Sequence, residues 1–373
     1  MKSILLMFHC EQNTGYAIKS LEDVFKTAAI QSGFHPDNIL WSYSKKSDHS
    51  KNVFEINYYK KSDADNLQKI IRKHQITTIL AFDMPVSTIA AHHAKKAGAK
   101  NIISYWGASM SGINTGFKLF LKRIECQLKE NSSPDHYIFE SIAMKNTGVN
   151  GRGICNKKTS VINLGVDTVE FQPNNDKSYI KKLLSIPNDR KVVFYSGHME
   201  ERKGIRTIVK SAKYLADINC IENIHFVLCG NKGNEADTYL LEIEHSQAKN
   251  HVTFAGYRDD IPELMASSDI GVIASTGWDS FTKSSVEMLA SGIPLIASKL
   301  GGLSETTEHN VTGELFEPGD YISLATIITK LSNDPERLLK QSLAARKRAI
   351  ELFSINDQIK KISSLIKNQG VEK

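Results

Sequence analysis

Short runs of apolar and β-branched residues alternate along this chain with segments of helical periodicity, and the alternation begins a second time near its middle. Runs of this kind are typical of parallel strands that are buried on both faces and covered by helices. The pattern predicts an α/β fold of two doubly wound, Rossmann-like domains. The predicted strands are Ile4–Phe8, Thr77–Phe82, Asn101–Tyr105, Tyr137–Phe139, Ser160–Ile162, Val192–Ser196, His225–Cys229, Val252–Phe254, Ile270–Ala274 and Pro294–Ala297.

Two domains also suit the length, since the 373 residues exceed the roughly 100–200 residues of a usual domain. Polar, turn-rich stretches at Gln172–Asp176 and Ile186–Asp189 place the boundary near residues 170–190. Doubly wound domains bind ligands at the carboxyl ends of their strands. Two such domains facing each other therefore predict a ligand site in an interdomain cleft.

The composition excludes several classes of protein. With 41% hydrophobic and 24% charged residues, the chain is too apolar to be disordered. Its five cysteines are odd in number and scattered, which argues against a disulfide framework or a zinc site and favours a reducing compartment. The apolar run Ile4–Phe8 is too short for a signal peptide or a membrane-spanning helix. We therefore expect a cytoplasmic protein.

The charge is uneven along the chain. Residues 1–170 contain 22 basic and 15 acidic residues, whereas residues 171–373 contain 25 and 26. This excess fits either an anionic partner, such as a membrane surface or a phosphorylated lipid, or a solvated lysine-rich surface. Basic and apolar residues also interleave on the predicted helix Lys118–Lys129. That helix could lie on a membrane, but the sequence favours an apolar side that faces the core.

The most specific pattern lies at residues 270–294. A strand runs through a polar loop into a helix, and a Gly-x-Pro turn leads to the next strand. The free N–H groups at such a helix N-terminus form an anion site that suits a diphosphate. Two acidic residues, Asp279 and Glu287, lie eight positions apart across this loop and helix.

This pattern resembles the E-x7-E motif of retaining glycosyltransferases with the GT-B fold, in particular family 4, glycosyl transferases group 1. The loop Gly197–Gly204 is similar to the family's G-R-x4-K-G loop. Further segments resemble the family in its own order, and they are Val161–Pro173, Val227–Gly230, Val252–Tyr257 and Ser298–Glu305. The resemblance implies an acceptor-binding domain at 1–170, with a C-terminal helix at about 354–373 packing back on it, and a nucleotide-sugar-binding domain at 171–353.

The resemblance implies three catalytic residues. Lys203 would stabilise the negative charge of the departing nucleotide diphosphate. Glu287 would bind the ribose diol through its carboxylate, with a solvated helix glutamate as the structural alternative. Asp279 would accept hydrogen bonds from the donor sugar, although it is one methylene shorter than the family's usual Glu. Capping of the helix N-terminus by Asp279 or Ser280 remains an open alternative.

Further residues are assigned to donor binding by the same resemblance. His198 stands where the family has a diphosphate-binding Arg, and Arg202 or Arg206 could compensate. Trp106 precedes a glycine where many members have His, and it fits either a stacking platform or a core position. The implied donor-binding residues are Gly15, Gly107, Gly197, His198, Arg202, Tyr257, Ser280, Phe281 and Thr282.

The implied function is retaining transfer of a sugar from a nucleotide-sugar donor to a glycan or lipid-linked acceptor, in surface polysaccharide or glycan assembly. Neither a metal nor another cofactor is expected, and no nucleic acid. A peripheral membrane contact through the N-terminal domain, at the inner membrane face, is expected from the charge pattern. Two alternatives remain open, a nucleotide-sugar epimerase and a non-catalytic glycosyltransferase-like partner subunit.

Overall fold

The computed structural model describes residues 2–47, 50–174 and 176–371. Within them the chain divides into two compact units. Unit 1 contains the residues up to Asn163 together with the segment from Ile355, and unit 2 is Leu164–Ser354. Residue 175 of the predicted boundary and residues 372–373 of the predicted final helix lie outside the described residues. Unit 2 is thus continuous in sequence, whereas unit 1 is assembled from two separated segments.

Unit 1 is built on a parallel sheet of seven strands in the order β3-β2-β1-β4-β5-β6-β7. The order reverses between β1 and β4, as in a doubly wound sheet. The strands are β1 Ser3–Phe8, β2 Ile39–Tyr43, β3 Val53–Glu55, β4 Ile76–Phe82, β5 Asn101–Trp106, β6 His136–Phe139 and β7 Thr159–Val161. The helices are α1 Tyr16–Gln31, α2 Lys61–His74, α3 Ile89–Ala97, α4 Gly116–Leu128, α5 Ile142–Asn146 and α14 Ile355–Val371.

Successive side chains of β1 enter two different cores because a strand turns alternate residues to opposite faces. Ile4 and Leu6 pack in one core with residues of α1 and α14. Leu5 and Met7 pack in the other with residues of α2 and α3. The helices therefore cover both faces of the sheet, as the near-continuous apolar strand sequences predict.

Helix α14 completes the first of these cores. Its residues Ile359, Ile362 and Ile366 are buried against the apolar side of α1. The amide of Gln358 on the same helix donates to the hydroxyl of Tyr105 at 2.9 Å. The last described helix of the chain is thus an integral part of unit 1.

Unit 2 contains a parallel sheet of six strands in the order β10-β9-β8-β11-β12-β13. The strands are β8 Lys191–Ser196, β9 Ile224–Cys229, β10 Val252–Gly256, β11 Ile270–Ile273, β12 Leu295–Ser298 and β13 Gly313–Phe316. The helices are α6 Ser178–Leu183, α7 Ile205–Asp217, α8 Asp237–Leu241, α9 Ile261–Ala266, α10 Lys283–Ala290, α11 Leu303–Thr306, α12 Tyr321–Ser332 and α13 Pro335–Leu352. Alternate residues of β8 again separate into two cores, with Val193 beside α7 and α12, and Val192 beside α10 and α13.

Helix α4 differs from the sequence-based expectation. Its apolar residues were expected to face the core, and this prediction is wrong, since no residue of α4 is buried. The fold class, an α/β arrangement of two parallel, doubly wound sheets, is confirmed. Within the described ranges, no helix combines the length and the hydropathy that crossing a bilayer requires.

Candidate functional site

The loops that leave β8 and β11 meet at the point where the strand order of unit 2 reverses. Ligands of doubly wound sheets bind outside the carboxyl ends of the strands at such a reversal. The backbone N–H groups of Thr276 and Gly277, after β11, donate to the carbonyl of Arg202, after β8, at 2.8 and 3.1 Å. Backbone hydrogen bonds therefore join the loop after β8 to the loop after β11.

Gly204 allows this close approach. Its φ is +75°, and a Cβ atom at this position would lie 1.7 Å from the carbonyl oxygen of Ala274. No side chain fits in that space, so the glycine is required for the packing of the two loops. Because Gly204 directly precedes α7, it also fixes the position of Lys203 at the carboxyl edge of the sheet.

Lys203 and Asp279, two of the predicted catalytic residues, form an ion pair. The ammonium nitrogen lies 3.0 and 2.9 Å from the two carboxylate oxygens, and the side chains are 16% and 7% exposed. The hydroxyl of Ser275 donates to the same carboxylate at 2.6 Å. Burial of a charged pair is tolerated when its polar atoms are hydrogen-bonded in this way. Sequence reasoning missed Ser275, although its place directly after a predicted strand could have indicated it.

The loop after β12 supports the backbone of Asp279. The N–H of Gly302 donates to the Asp279 carbonyl at 3.2 Å. A Cβ atom on Gly301 would lie 2.2 Å from the same oxygen. These contacts explain why the predicted motif contains two consecutive glycines. They also show that a third loop at the same edge of the sheet fixes the backbone of Asp279.

Helix α10 begins at Lys283, and its N-cap is Thr282. Thr282 makes no side-chain cap hydrogen bond, so capping of the first turn by Asp279 or Ser280 stays a prediction. Phe281 is buried and packs edge-on against Phe353, with ring centroids 5.4 Å apart. The hydroxyl oxygen of Thr282 is buried without a hydrogen-bond partner among the described residues.

Glu287 lies in the second turn of α10 and is only 3% exposed. The alternative of a solvated surface glutamate is therefore wrong. A buried carboxylate is costly unless polar groups compensate it, so Glu287 is not an ordinary surface residue of the helix. The N-terminus of the same helix lies at the carboxyl edge of the sheet, because α10 follows β11.

A surface depression of about 590 Å³ lies at the ends of β9 and β10. The predicted residue Tyr257 lines it together with Asn231 and Lys232, and the Lys232 ammonium lies 4.6 Å from the centre of the Tyr257 ring. Gly230 follows β9 and lies directly against the loop after β8. A Cβ atom at this position would lie 1.9 Å from the Gly197 carbonyl oxygen, so only a glycine allows this approach. Asn231 and Lys232 were missed by sequence reasoning, although they follow the predicted motif ending at Gly230.

The two predicted diphosphate-binding side chains on the β8 loop are accessible. His198 is exposed, and its carbonyl accepts a hydrogen bond from the Tyr195 hydroxyl at 2.8 Å. Arg202 is half exposed and pairs with Glu200 at 2.7 Å. Arg206, the suggested substitute cation, pairs with Glu201 and Glu242 instead.

Gly15 and Gly107, the remaining predicted residues, belong to unit 1. Gly15 caps α1 with a φ of +137° and with open space where a Cβ would lie. The N–H of Gly107, after β5, donates to the Asp83 carboxylate at 2.8 Å. Burial raises the pKa of Asp83 to about 6 against the lowering effect of this hydrogen bond. Trp106 packs at the edge of a small apolar cluster, which favours the core alternative.

Sequence reasoning also missed Glu140, which follows β6 directly. It is buried, and burial together with the nearby charge of Asp83 raises its pKa to about 8, while a hydrogen bond with Tyr105 lowers it. Two carboxyl groups with raised pKa values therefore lie at the carboxyl edge of the unit 1 sheet. An acidic residue directly after a buried strand was the available signal for both.

Comparisons with known proteins agree with this geometry. Residues 176–348 match the model of the family glycosyl transferases group 1. A galactosyltransferase of Escherichia coli, named UDP-Gal:alpha-D-GlcNAc-diphosphoundecaprenol alpha-1,3-galactosyltransferase, is 27% identical over 58% of this chain and 56% of its own length. The chain spans about half the length of the curated relatives it matches.

Two solved structures resemble the whole chain. The Anabaena protein HepE in complex with UDP has a TM-score of 0.80 at 21% identity, covering 98% of this chain and 100% of HepE. A glycosyltransferase of Rickettsia africae has a TM-score of 0.82 at 19% identity, covering 100% of both chains. At these identities the likeness shows the fold.

Two Rossmann-like units with parallel, doubly wound sheets define a protein of the GT-B fold. The model of the glycosyl transferases group 1 family matches residues 176–348, which include the paired Lys203 and Asp279.

Proposed function

We propose that this chain is a retaining glycosyltransferase that moves a sugar from a nucleotide-diphosphate sugar to an acceptor hydroxyl. The observation that carries the proposal is the buried Lys203–Asp279 pair in the loop that leads into α10 of a group 1 domain. A departing nucleotide diphosphate gains negative charge as the glycosidic bond breaks. An oriented lysine and helix N–H groups stabilise that charge without having to reorganise.

Lys203 can act on a phosphate while it stays paired. An ammonium group has three N–H donors, and the two Asp279 oxygens take no more than two of them. The third donor is available for a phosphate oxygen. In this proposal Asp279 keeps the ammonium charged and oriented, in addition to the contact with donor sugar hydroxyls that the family resemblance implies.

The other parts of the nucleotide sugar are assigned to other segments at the same edge of the sheet. Glu287 binds the ribose hydroxyls, because a carboxylate accepts hydrogen bonds from both members of a cis-diol. The depression beside Tyr257 receives the base, where an aromatic ring and the Lys232 ammonium offer stacking and charge. His198 and Arg202 face the diphosphate from the β8 loop.

The proposed donor is a UDP-sugar. This choice is supported by HepE, which has been solved with UDP and with UDP-glucose, and by the name of the Escherichia coli relative. That name also supports a lipid-linked glycan as the acceptor. We place the reaction in surface polysaccharide or glycan assembly, in the cytoplasm and at the inner face of the membrane.

The proposed reaction needs neither a nucleophilic side chain nor a bound metal. The acceptor hydroxyl attacks from the side on which the diphosphate leaves, and the leaving phosphate takes its proton. The enzyme contributes orientation and charge stabilisation. Lys203 and the N–H groups of α10 supply the positive charge, so transfer is expected to continue in EDTA.

Thermal-shift titration with UDP, GDP, ADP and CMP tests the donor assignment, because a ligand at about a hundred times its Kd stabilises a protein by about 2.7 kcal/mol. We expect a shift with UDP that falls to about half or less in Glu287→Gln, as an affinity at least about tenfold weaker requires. The shift should be kept in Glu263→Gln, a substitution on the exposed surface of α9. NMR of the product formed from a UDP-sugar and a glycan acceptor then reports the anomeric configuration.

The other outcomes would redirect the assignment. Stabilisation by no nucleotide would overturn the proposal in favour of a non-catalytic partner subunit. Conversion of the donor sugar without an acceptor would indicate an epimerase. A product of inverted configuration would leave glycosyl transfer in place and remove retention.

A further inference from the structure

Helix α4 in unit 1 presents its apolar side to solvent. Five large apolar residues form one stripe, because they recur at the three- and four-residue spacing that places side chains on one helix face. Phe117 and Leu128, near the two ends of the stripe, are 72% and 82% exposed. The stripe, called the α4 apolar stripe below, consists of Phe117, Phe120, Leu121, Ile124 and Leu128.

A charged side of α4, which adjoins the stripe, attaches the helix to unit 1. Glu125 lies 2.9 Å from Lys122, 2.7 Å from Lys129 and 3.0 Å from Arg152. These hydrogen bonds, with the one from Arg152 the strongest, hold the pKa of Glu125 well below its usual range. The backbone of α4 also passes so close to Gly153 that a Cβ there would lie 2.6 Å from the Lys122 carbonyl carbon. The helix is thus fixed by its charged side.

This arrangement is the reverse of that of a usual surface helix, whose apolar stripe faces the core. Exposing a large apolar side chain forgoes about 1.5–3 kcal/mol that burial would gain. An exposed apolar patch rimmed by polar groups marks an interaction surface. The ion pairs of Glu125 keep this patch turned outward, so it is a stable feature of the fold.

Two cations flank the stripe. At 100° per residue, Lys118 and Arg123 lie on its two opposite sides. Both are exposed, and neither makes a hydrogen bond or ion pair among the residues that the structure describes. Ile113, 58% exposed in the loop before α4, adds another apolar group near the start of the helix.

We propose that α4 docks on a bilayer that contains anionic lipids, with the α4 apolar stripe at the level of the acyl chains. A helix that lies in this interface needs an apolar face with Lys and Arg along its margins, where the long side chains reach the phosphates. Each such cation adds about 1 kcal/mol of attraction to an anionic surface. The excess of basic over acidic residues in 1–170, 22 against 15, has the sign that this partner requires.

Vesicle co-sedimentation of the full chain tests this inference without any sugar donor, so its outcome is separate from that of the proposed function. We expect binding to vesicles of phosphatidylglycerol and phosphatidylcholine, and weak binding to phosphatidylcholine alone. The variant Phe117→Ser/Leu128→Ser should lower the partition coefficient by about tenfold or more. Lys118→Glu/Arg123→Glu should do the same and reduce the dependence on salt.

Matched controls lie in unit 2. Leu339 and Leu343 are exposed on α13 at 62% and 65%, and Leu339→Ser/Leu343→Ser should bind vesicles like the wild type. The same holds for Lys330→Glu/Lys340→Glu. Circular dichroism and the melting temperature establish that each variant is folded.

Three results would overturn the inference. The wild type could fail to bind anionic vesicles, or the α4 variants could bind as well as the controls. Sedimentation velocity could also show a dimer that Phe117→Ser/Leu128→Ser dissociates while lipid binding is unchanged, which would assign the stripe to a second copy of the chain.

Discussion

At the scale of single residues, the candidate site depends on a charge that is almost closed to water. Asp279 is 5% exposed and has Lys203 and Ser275 on its carboxylate. Removing one partner of such a pair leaves an uncompensated charge, which is worse than removing both. Replacing Lys203 alone is therefore expected to destabilise the fold as well as to slow sugar transfer.

We predict that Lys203→Met lowers the free energy of unfolding by about 3 kcal/mol, because the Asp279 carboxylate stays buried with only the Ser275 hydroxyl. Lys203→Met/Asp279→Asn should recover most of that loss and still transfer sugar at least about tenfold more slowly than the wild type. Urea denaturation and a transfer assay provide the two readouts. Equal stability of the single and double variants would show that the pair is not coupled.

Glu140 and Asp83 make unit 1 sensitive to pH. Their pKa values are raised to about 8 and about 6, so both carboxyl groups favour the fold while protonated. Their contribution is complete below the ordinary carboxyl pKa of about 4 and is lost as the pH rises through 6 and then 8. In Glu140→Gln only the Asp83 part of this loss should remain.

Urea denaturation across this pH range measures the effect. Between about pH 6 and 8 the wild type should lose stability relative to Glu140→Gln. Glu336→Gln, an exposed substitution in α13, should follow the wild-type curve. Parallel curves for the wild type and Glu140→Gln would mean that Glu140 carries no raised pKa.

At the scale of elements, α10 combines the functions that the proposal requires. Its first turn offers N–H groups, and its second turn carries the buried Glu287. The effect of the Glu287 charge can be separated from that of its shape, because Gln has nearly the shape of Glu and lacks its charge.

We predict that Glu287→Gln weakens binding of the nucleotide sugar by about tenfold or more, since a hydrogen bond to a charged group is worth about 1.5–3 kcal/mol. Isothermal titration calorimetry measures this change, with Glu263→Gln on α9 as the control. Unchanged affinity would remove Glu287 from the donor site.

The sequence was informative where apolar runs are long. It placed β4 and β5 to within one residue at each end, but it did not identify β2, β3 and β13. These strands have three to five residues. Periodicity separates strands that short from loops in some cases, such as β7, and not in others. Single-element patterns also cannot show which side of α4 is attached, because that depends on Glu125 meeting Arg152 from elsewhere in the chain.

The candidate site could also be predicted only in part from the sequence. Ordered motifs located Lys203, Asp279 and Glu287, which the structure places on the loops and the helix of one sheet edge, and their catalytic roles stay predictions. The pairing of Lys203 with Asp279 and the burial of Glu140 required the fold, because contacts between residues distant in sequence leave no local pattern.

At the scale of the whole molecule, α14 connects the two ends of the described chain within unit 1. Ile362 is fully buried in the core that β1 and α1 share. We predict that Ile362→Ala lowers the free energy of unfolding by about 2–5 kcal/mol through lost burial and the cavity left behind. Ile322→Ala, at a half-exposed position of α12, is the control, and equal effects of the two substitutions in urea denaturation would argue against this packing.

The division of unit 1 into two segments also bears on its biosynthesis. A ribosome makes all of unit 2 between the strands of unit 1 and the helix that covers them. The apolar face of α1, with Phe25 and Ala29 at its centre, therefore stays open on the nascent chain until α14 has left the exit tunnel. Of the two units, the one whose synthesis begins first is the one that finishes folding last, and during that interval it exposes the kind of surface that chaperones bind.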